Sequence, residues 1–306
     1  MAIPKRQLDR WTKQGAVTNS KKTYRAIERT MESERSALSQ HDHNWEIYLQ
    51  GSYANHTNIY GDSDVDIVVR LRSTWRSDLS DLSPEERRAY NEAYIDADYT
   101  GRDFYEDVRT SLYRRFEREN VNPGTKAIKV DSDSAAIPVD ADIVPCVVHR
   151  NYNYFRGKAD DKQDYDEGMN FQTRDGGRKI INYSQLHQSR GEQKNQSERT
   201  SGNYKPTVRM FKNARNKMQK ERIIADGAAP SYYIECLLSN VPDHHFKGIT
   251  TTRFESIVSY LDGADLDPFT EQCGMRPLFD QSHPDRWNTR DARQFIDGLQ
   301  TLWSAW

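Results

Sequence analysis

The chain has 306 residues, of which 35% are apolar and 29% charged, enough for a sizeable core in one large or two modest domains. Its formal net charge of −2 argues against a general affinity for duplex nucleic acid, because duplex-binding enzymes usually have a clear basic excess. The three cysteines are far apart and form no CxxC or Cys/His pattern, which predicts free thiols and argues against a zinc site or a disulfide framework. No apolar stretch approaches the length of a membrane span and the N-terminus has no apolar signal segment, so we expect a soluble, cytoplasmic protein.

The first half of the chain alternates helical and strand patterns. Ser83-Pro84-Glu85-Glu86 is typical of a capping box at a helix start. The serine side chain can cap the first turn, and Glu86, three residues later, can accept a hydrogen bond from the serine backbone N–H. Alternating or continuous apolar runs predict short strands. The predicted helices cover 17–40, 83–98 and 104–119, and the predicted strands cover 45–50, 65–71, 126–130 and 137–148.

The composition changes near residue 150. Residues 151–203 are poor in aliphatic side chains, and 189–203 is predicted to be an exposed loop. Helical patterns follow at 204–222, 230–240, 251–261 and 289–303. We therefore predict an α+β fold with two domains, 1–160 with a small mixed sheet and 161–306 mainly helical.

The motif Asp64-Val65-Asp66 opens the apolar strand 65–71. Side chains two apart on a strand point to the same face, so two carboxylates would lie side by side and repel each other without cations. Two Mg²⁺ ions remove that cost, and roughly 3.5–4 Å apart they can clamp the attacking and leaving oxygens of a phosphoryl displacement. An isolated Asp-x-Asp is usually a solvated strand end, but here it interrupts a buried run, which favours a metal site.

Gly51-Ser52 lies directly after one predicted strand and before the Asp-x-Asp motif. Glycine lets the backbone approach a ligand closely, and consecutive N–H groups with a hydroxyl can hold phosphate oxygens. As a lone dipeptide Gly-Ser is an ordinary turn, and its position between these two features is what indicates phosphate binding.

A third carboxylate is expected on a neighbouring strand to complete one metal site. In the segment 137–145, Asp140 and Asp142 share a face, so periodicity alone does not choose between them. Asp142 lies deeper in the apolar run, where an unpaired carboxylate would cost more, and we favour it.

The stretch QGSYANHTNIYGDSDVDIVV, from Gln50 to Val69, together with Asp142-Ile-Val-Pro145, resembles the cGAS/DncV-like nucleotidyltransferases, or CD-NTases. The resemblance continues through most of the chain, over about residues 20–300. Its further carriers are Ile181-Asn-Tyr183 with His187, Tyr204 to Lys212, Pro230 to Glu235 and Asn240-Val-Pro242.

The resemblance implies a DNA polymerase β-like palm with an N-terminal spine helix in 1–160. It also implies an oligoadenylate synthetase-like helical nucleotide-binding domain in 161–306. The implied reaction joins nucleoside triphosphates (ATP, GTP, UTP or CTP) into a cyclic di- or trinucleotide with release of pyrophosphate. Such products are second messengers in antiphage (CBASS) signalling. Asp64, Asp66 and Asp142 would then be the catalytic metal ligands for Mg²⁺ or Mn²⁺, with Asp142 also taking the proton of the attacking hydroxyl.

The resemblance also assigns substrate contacts outside the carboxylates. Ser52, after Gly51, would hold the donor triphosphate. Lys205 would contact the same triphosphate, and it shares a helical face with two further cations of 204–222, although a solvated basic stripe gives the same pattern. Three remaining residues would contact the bases: Ser231, Tyr232 and Asn182. A core tyrosine and a loop-capping asparagine are the ordinary alternatives for the last two.

The sequence departs from the animal DNA sensor of this family, because the Cys/His zinc insertion is absent. Together with the near-neutral charge, this argues against activation by DNA and leaves constitutive activity or regulatory protein partners as the alternatives. Two other functions stay open at the level of sequence. One is a nucleotidyltransferase that makes linear oligonucleotides or labels a protein or RNA, and the other is an inactive nucleotide-binding scaffold, which would be free to lose the three aspartates.

Overall fold

The computed structural model describes residues 2–61, 64–132, 136–175, 177–280, 282 and 286–306. The chain divides into two compact units. The sheet unit comprises Val17–Gln50 and Ser63–Ser184, and the helical unit comprises Met1–Ala16, Gly51–Asp62 and Gln185–Trp306. The predicted α+β class with a small mixed sheet and a C-terminal helical part is confirmed.

The sheet unit is built on seven described strands in one mixed sheet. The strands are β1 (Trp45–Leu49), β2 (Val65–Asp78), β3 (Val121–Pro123), β4 (Ile128–Val130), β5 (Ala141–Phe155), β6 (Gln163–Gln172) and β7 (Lys179–Asn182). The helices of this unit are α2 (Thr18–Glu32), α4 (Pro84–Ala93) and α5 (Gly101–Phe116). The strand order is β1-β2-β5-β4-β3, β6 also pairs with β5, and β7 pairs with β6. Strands β2 and β5 are parallel, whereas the other pairs are antiparallel.

Local sequence explains where these elements lie. Strand β2 is continuous with the apolar run that predicted it, and Val65, Ile67 and Val69 are fully buried. Strand β2 lies between β1 and β5, and helices α2 and α5 pack against it. The predicted capping box of α4 is confirmed: Glu86 N donates to Ser83 Oγ at 3.3 Å, and Ser83 N donates to Glu86 Oε2 at 3.0 Å. The cap satisfies N–H groups that a helix start leaves without partners.

Strand β5 has two different neighbours along one edge. Strand β4 pairs with its residues 141–143, and β6 pairs with its residues from Val147 onward. Between them, residues 144–146 are paired with no other described strand on that edge. Pro145 lies in this interval and has no backbone N–H to donate. With any other residue at this position, the interval would contain one more backbone donor in need of an acceptor.

The helical unit encloses one large apolar core formed by side chains from its N-terminal helix and from the helices after residue 204. Its helices are α1 (Lys5–Trp11), α3 (Gly51–Ala54), α6 (Ser184–Lys194), α7 (Ser197–Thr200), α8 (Tyr204–Lys220), α9 (Ser231–Ser239), α10 (Thr250–Gly263) and α11 (Thr289–Ala305). Helix α6 begins at the last residue of the sheet unit. The four helices predicted after residue 204 are confirmed with small shifts at their ends.

The prediction of an exposed loop over 189–203 is wrong, because α6 and α7 occupy much of it. The segment is polar, but some of its polar side chains form specific tertiary contacts that the composition does not reveal. The ammonium of Lys194 is buried and donates to Val241 O at 2.7 Å and to Asp243 Oδ1 at 2.9 Å. Gly191 lies so close to Gln272 that an added Cβ would be 2.5 Å from its amide nitrogen.

The compact units also differ from the predicted ranges 1–160 and 161–306. Strands β6 and β7 lie after residue 160 but belong to the sheet unit, because β6 hydrogen-bonds to β5 over most of its length. Segments 1–16 and 51–62, in contrast, belong to the helical unit. The sequence analysis predicted neither β6 nor β7, since their polar residues do not form a clear alternating pattern.

Two absences follow from the described residues. None of the helices described there combines the length and the hydropathy needed to cross a bilayer. The three cysteines, Cys146, Cys236 and Cys273, are buried and unpaired, so the prediction of free thiols is confirmed.

Candidate active site

Two of the predicted catalytic carboxylates are direct neighbours in the sheet. Asp66 of β2 and Asp142 of β5 are register partners in the parallel pair, and Asp64 immediately precedes β2. Alternation places Asp66 and Asp142 on the sheet face that also carries Val68 and Val144. Those two valines pack into a buried apolar cluster with Cys146 and Met169, so the carboxylates lie next to an apolar surface.

The electrostatics distinguish Asp142 from Asp140. Burial, together with the charge of Asp64, raises the pKa of Asp142 above its usual value. Asp140 instead accepts hydrogen bonds from Lys129 Nζ at 2.8 Å and from Ser132 N at 2.8 Å, and these bonds lower its pKa to about 2. Asp140 is therefore engaged in a structural ion pair, whereas Asp142 is a half-buried carboxylate under repulsion from another.

Lys129 is a charged neighbour of the carboxylates that the sequence analysis did not identify. It is the register partner of Asp142 in β4, and the charges of Asp140 and Asp64 raise its pKa. The sequence feature that could have pointed to Lys129 is a cation between Ile128 and Val130, two buried strand residues. Lys129 therefore adds a positive charge beside the carboxylates, although a lysine ammonium is not a metal ligand.

The carboxylates fit a hard divalent cation chemically, because all their donor atoms are oxygens. The raised pKa of Asp142 in the field of Asp64 is what neighbouring carboxylates do when no cation offsets their repulsion. Within the described ranges, no three or more His, Cys, Asp or Glu side chains are arranged so that they could together hold a metal ion. A metal site of Asp64, Asp66 and Asp142 would therefore require their carboxyl groups to converge on the ion.

The Gly-Ser motif forms the start of the short helix α3, directly after Gln50. Gln50, the residue before Gly51, donates its backbone N–H to Asp66 O at 3.0 Å. Gly51 has φ +66°, a left-handed conformation that other residues adopt only with strain. Gly51 and Ser52 are both half-buried. The glycine is thus required by the backbone turn itself.

A buried glutamate anchors the loop that follows Ser52. Glu235 of α9 accepts hydrogen bonds from Asn55 Nδ2 at 2.9 Å and from Thr57 Oγ1 at 2.6 Å, and it lies 3.1 Å from His187 Nε2. Burial raises the pKa of Glu235, but the contacts with His187 and other donors outweigh it and leave the pKa below its usual value. The sequence analysis missed this cluster, since the partners of Glu235 are 48 to 180 residues away from it along the chain.

Lys205, Arg209 and Lys212 share one face of α8, and among the described residues the ammonium of Lys205 makes only a long ion pair with Glu192. The side chain of Lys205 is largely buried, its Nζ is 3.9 Å from Glu192 Oε1, and burial lowers its pKa. Lys212 is fully buried and donates to Thr57 O at 3.0 Å. Arg209 donates to Thr12 O at 2.7 Å and also to His56 O. These two cations hold backbone carbonyls, which leaves Lys205 as the phosphate candidate.

The three predicted base contacts lie in different surroundings. Ser231 begins α9, and its Oγ accepts a hydrogen bond from Arg215 at 3.3 Å. The ring of Tyr232 stacks on that of His187, with centroids 5.1 Å apart, so one ring face is already covered. Asn182 ends β7 in the sheet unit, pairs with Met169 and is half-buried.

Comparisons with known proteins agree along the whole chain. Residues 189–304 match the model of the cGAS/DncV-like nucleotidyltransferase C-terminal helical domain. The cyclic UMP-AMP synthase of Rhodothermus marinus is 40% identical over 100% of this chain and 99% of its own length. The cyclic nucleotide synthase of Staphylococcus haemolyticus is 38% identical, with both chains fully covered.

Solved structures support the same assignment. The Rhodothermus marinus c-UMP-AMP synthase with Apcpp and Upnpp has a TM-score of 0.87 at 39% identity, covering 99% of this chain and 97% of that one. The Elizabethkingia meningoseptica cyclic dinucleotide synthase with GTP and Apcpp has a TM-score of 0.71 at 26% identity, with 99% and 98% coverage. With a relative of this identity matched over its full length and a carboxylate pair in register on a mixed sheet, the chain belongs to the cGAS/DncV-like nucleotidyltransferases.

Proposed function

We propose that this enzyme joins ATP and UTP into a cyclic dinucleotide and releases pyrophosphate at each of two steps. The pairing of Asp66 with Asp142 in register, beside Asp64, is the observation that carries the proposal. The choice of nucleotides is supported by the 40% identical relative, which is a cyclic UMP-AMP synthase and whose structure was solved with Apcpp and Upnpp.

In this proposal Asp64, Asp66 and Asp142 hold Mg²⁺, or Mn²⁺ in its place. When bound, the cations stabilise the negative charge that develops on the attacking and leaving oxygens. Asp142 accepts the proton of the attacking ribose hydroxyl. Its raised pKa supports this role, because a general base is more effective when its pKa lies closer to the working pH.

The remaining residues bind and orient the substrates. Gly51 and Ser52 present a backbone turn and a hydroxyl to the donor triphosphate, and Lys205 adds an ammonium whose ion pair with Glu192 is long, at 3.9 Å. Ser231 and Tyr232 contact the donor base, and an aromatic ring such as that of Tyr232 can stack on any base. Asn182 reads the acceptor base through its amide, which can both donate and accept.

The test is product analysis with the purified full chain, Mg²⁺ and all four ribonucleoside triphosphates. We expect pyrophosphate release and a phosphatase-resistant product whose mass contains one AMP and one UMP. The variant Asp64→Asn with Asp66→Asn should lose turnover by several orders of magnitude, because metal clamping lowers the barrier by many kcal/mol. Removing neighbouring negative charges should leave it folded and slightly more heat-stable.

Asp140→Asn is the matched control, because Asp140 is a carboxylate only two residues from Asp142 but is engaged by Lys129. It should keep most of the activity. A phosphatase-sensitive product would mean linear oligonucleotides, and a product without UMP would reject the nucleotide choice. If no pyrophosphate is released with Mg²⁺ or Mn²⁺, the proposal fails.

A further inference from the structure

A cavity of about 830 Å³ lies in the sheet unit, away from the proposed catalytic carboxylates. It is bordered by the interval of β5 between its two neighbouring strands, by the C-terminal half of β6 and by the start of α5. Ligand sites for small organic molecules have volumes of roughly 300–1,000 Å³, so this cavity is large enough for a nucleotide. A single phosphate ion would leave most of it empty.

The cavity's main wall belongs to the sheet face opposite to Asp66 and Asp142. Strand β5 runs without a bulge from Asp142 to Val147, and an offset of five residues places these two side chains on opposite faces. Val147 lines the cavity, and its register partner in β6, Asn170, lines it too. Cys146, from the other face of β5, also lines the cavity, but neither Asp66 nor Asp142 does, so a ligand there would not contact these carboxylates.

The lining is strongly basic. It contains four cations, Arg76, Arg102, Arg174 and Lys179, and one carboxylate, Glu106. Glu106 is already paired with Arg109. None of the four cations forms an ion pair with a carboxylate in the described part of the chain, although Arg174 donates to a backbone carbonyl. In a protein with a net charge of −2, such a group of cations without ion pairs around one cavity indicates an anionic ligand.

Two polar groups of the lining also lack partners among the described residues. Asn170 is only 5% exposed, and its Nδ2 has no hydrogen-bond acceptor. The hydroxyl of Tyr105 is likewise buried without a partner. A buried donor without an acceptor costs free energy, so a bound oxygen-rich ligand would satisfy both groups.

From this combination we infer a second ligand site, for a nucleotide-sized molecule that carries phosphate groups, on the sheet face opposite to the catalytic carboxylates. Arg76, Arg102, Arg174 and Lys179 would bind the phosphates. Asn170 and Tyr105 would bind ligand oxygens deeper in the cavity. The site is separate from the donor and acceptor sites of the proposed reaction, and it would hold its ligand without a metal ion.

Hydrogen–deuterium exchange of the full chain in EDTA tests this inference, with ATP in one arm and inorganic tripolyphosphate in the other. We expect ATP to slow exchange in segments 100–106 and 170–174, which line the cavity. Protection that is equally tight with tripolyphosphate would show that only phosphate is recognised, and it would overturn the nucleotide-sized ligand. Protection confined to segments 51–57 and 204–212 would overturn the second site altogether.

A charge variant provides the second measurement. Arg76→Gln with Lys179→Gln removes two exposed cations that make no ion pair, so folding should be unaffected. We expect the ATP concentration for half-protection of 170–174 to rise at least about tenfold, and calorimetric titration in EDTA to count one site fewer. The control Lys22→Gln with Arg88→Gln removes the same charge from exposed positions of the same unit. Equal weakening in both variants would reduce the effect to net charge and reject the site.

Discussion

Truncation of Glu235 tests whether one buried carboxylate holds the loop after the Gly-Ser motif. The side chain is 4% exposed and receives hydrogen bonds from Asn55 and Thr57 of that loop, besides its contact with His187. Glu235→Ala removes the shared acceptor and leaves these groups buried without it. The substitution thereby separates loop anchoring from any direct contact with substrate.

The expected loss of folding free energy follows from the hydrogen bonds that Glu235 accepts. A hydrogen bond to a charged group contributes about 1.5–3 kcal/mol, and removing one member of a buried charged cluster typically costs about 3–5 kcal/mol. We adopt the second range, because water can enter the space left by the side chain and the individual bonds do not add. At about 2–4 °C per kcal/mol for a unit of this size, the melting temperature should fall by roughly 6–20 °C.

Thermal and urea unfolding of matched variants give the measurement. Glu255→Ala is the control, since Glu255 is an exposed glutamate on α10 and its loss should change the stability by less than about 0.5 kcal/mol. Glu235→Gln keeps the volume and one acceptor, so it should lie between the two. The KM for the donor nucleotide should rise in Glu235→Ala more than kcat falls. Equal melting temperatures of Glu235→Ala and Glu255→Ala would refute the anchoring role.

Three further outcomes can be checked with the same assays. Gly51→Ala should cost about 1–2 kcal/mol, because φ +66° is strained for alanine, and urea unfolding measures this loss together with a lower kcat/KM. The pKa of Asp140, lowered from 3.8 to about 2 by Lys129, stabilises the fold above pH 4, and this contribution is lost as the pH falls towards 2. Asp140→Asn should therefore lose about 1 kcal/mol at pH 7 after allowance for solvent screening, and a smaller amount at pH 3, as urea midpoints at both pH values will show. Arg70 is 1% exposed and donates hydrogen bonds to two glutamates and a carbonyl. Arg70→Ala should therefore lower the free energy of unfolding by about 3–5 kcal/mol, whereas Arg88→Ala, at an exposed position, should leave the melting temperature unchanged.

Local chemistry made several features of this protein readable from the sequence. The capping box at Ser83 and the apolar run of β2 depend on neighbours within a few residues, and both were predicted correctly. The helices after residue 204 have a periodic apolar face, which is also a local property. The family could be identified for a related reason, since the Gly-Ser and Asp-x-Asp motifs lie within 16 consecutive residues, Gly51 to Asp66.

Other features depend on residues that only the folded chain brings together. Asp140 and Asp142 are equivalent by alternation, and the ion pair with Lys129 from another strand is what distinguishes them. The polar segment 189–203 is helical because Lys194 finds Val241 and Asp243, about 50 residues further along the chain. A sequence pattern records the preference of a residue for an apolar or polar environment and for a backbone conformation. Which partner neutralises a charge or accepts a proton is decided by strand register and helix packing, because these interactions act over a few ångströms and not along the chain.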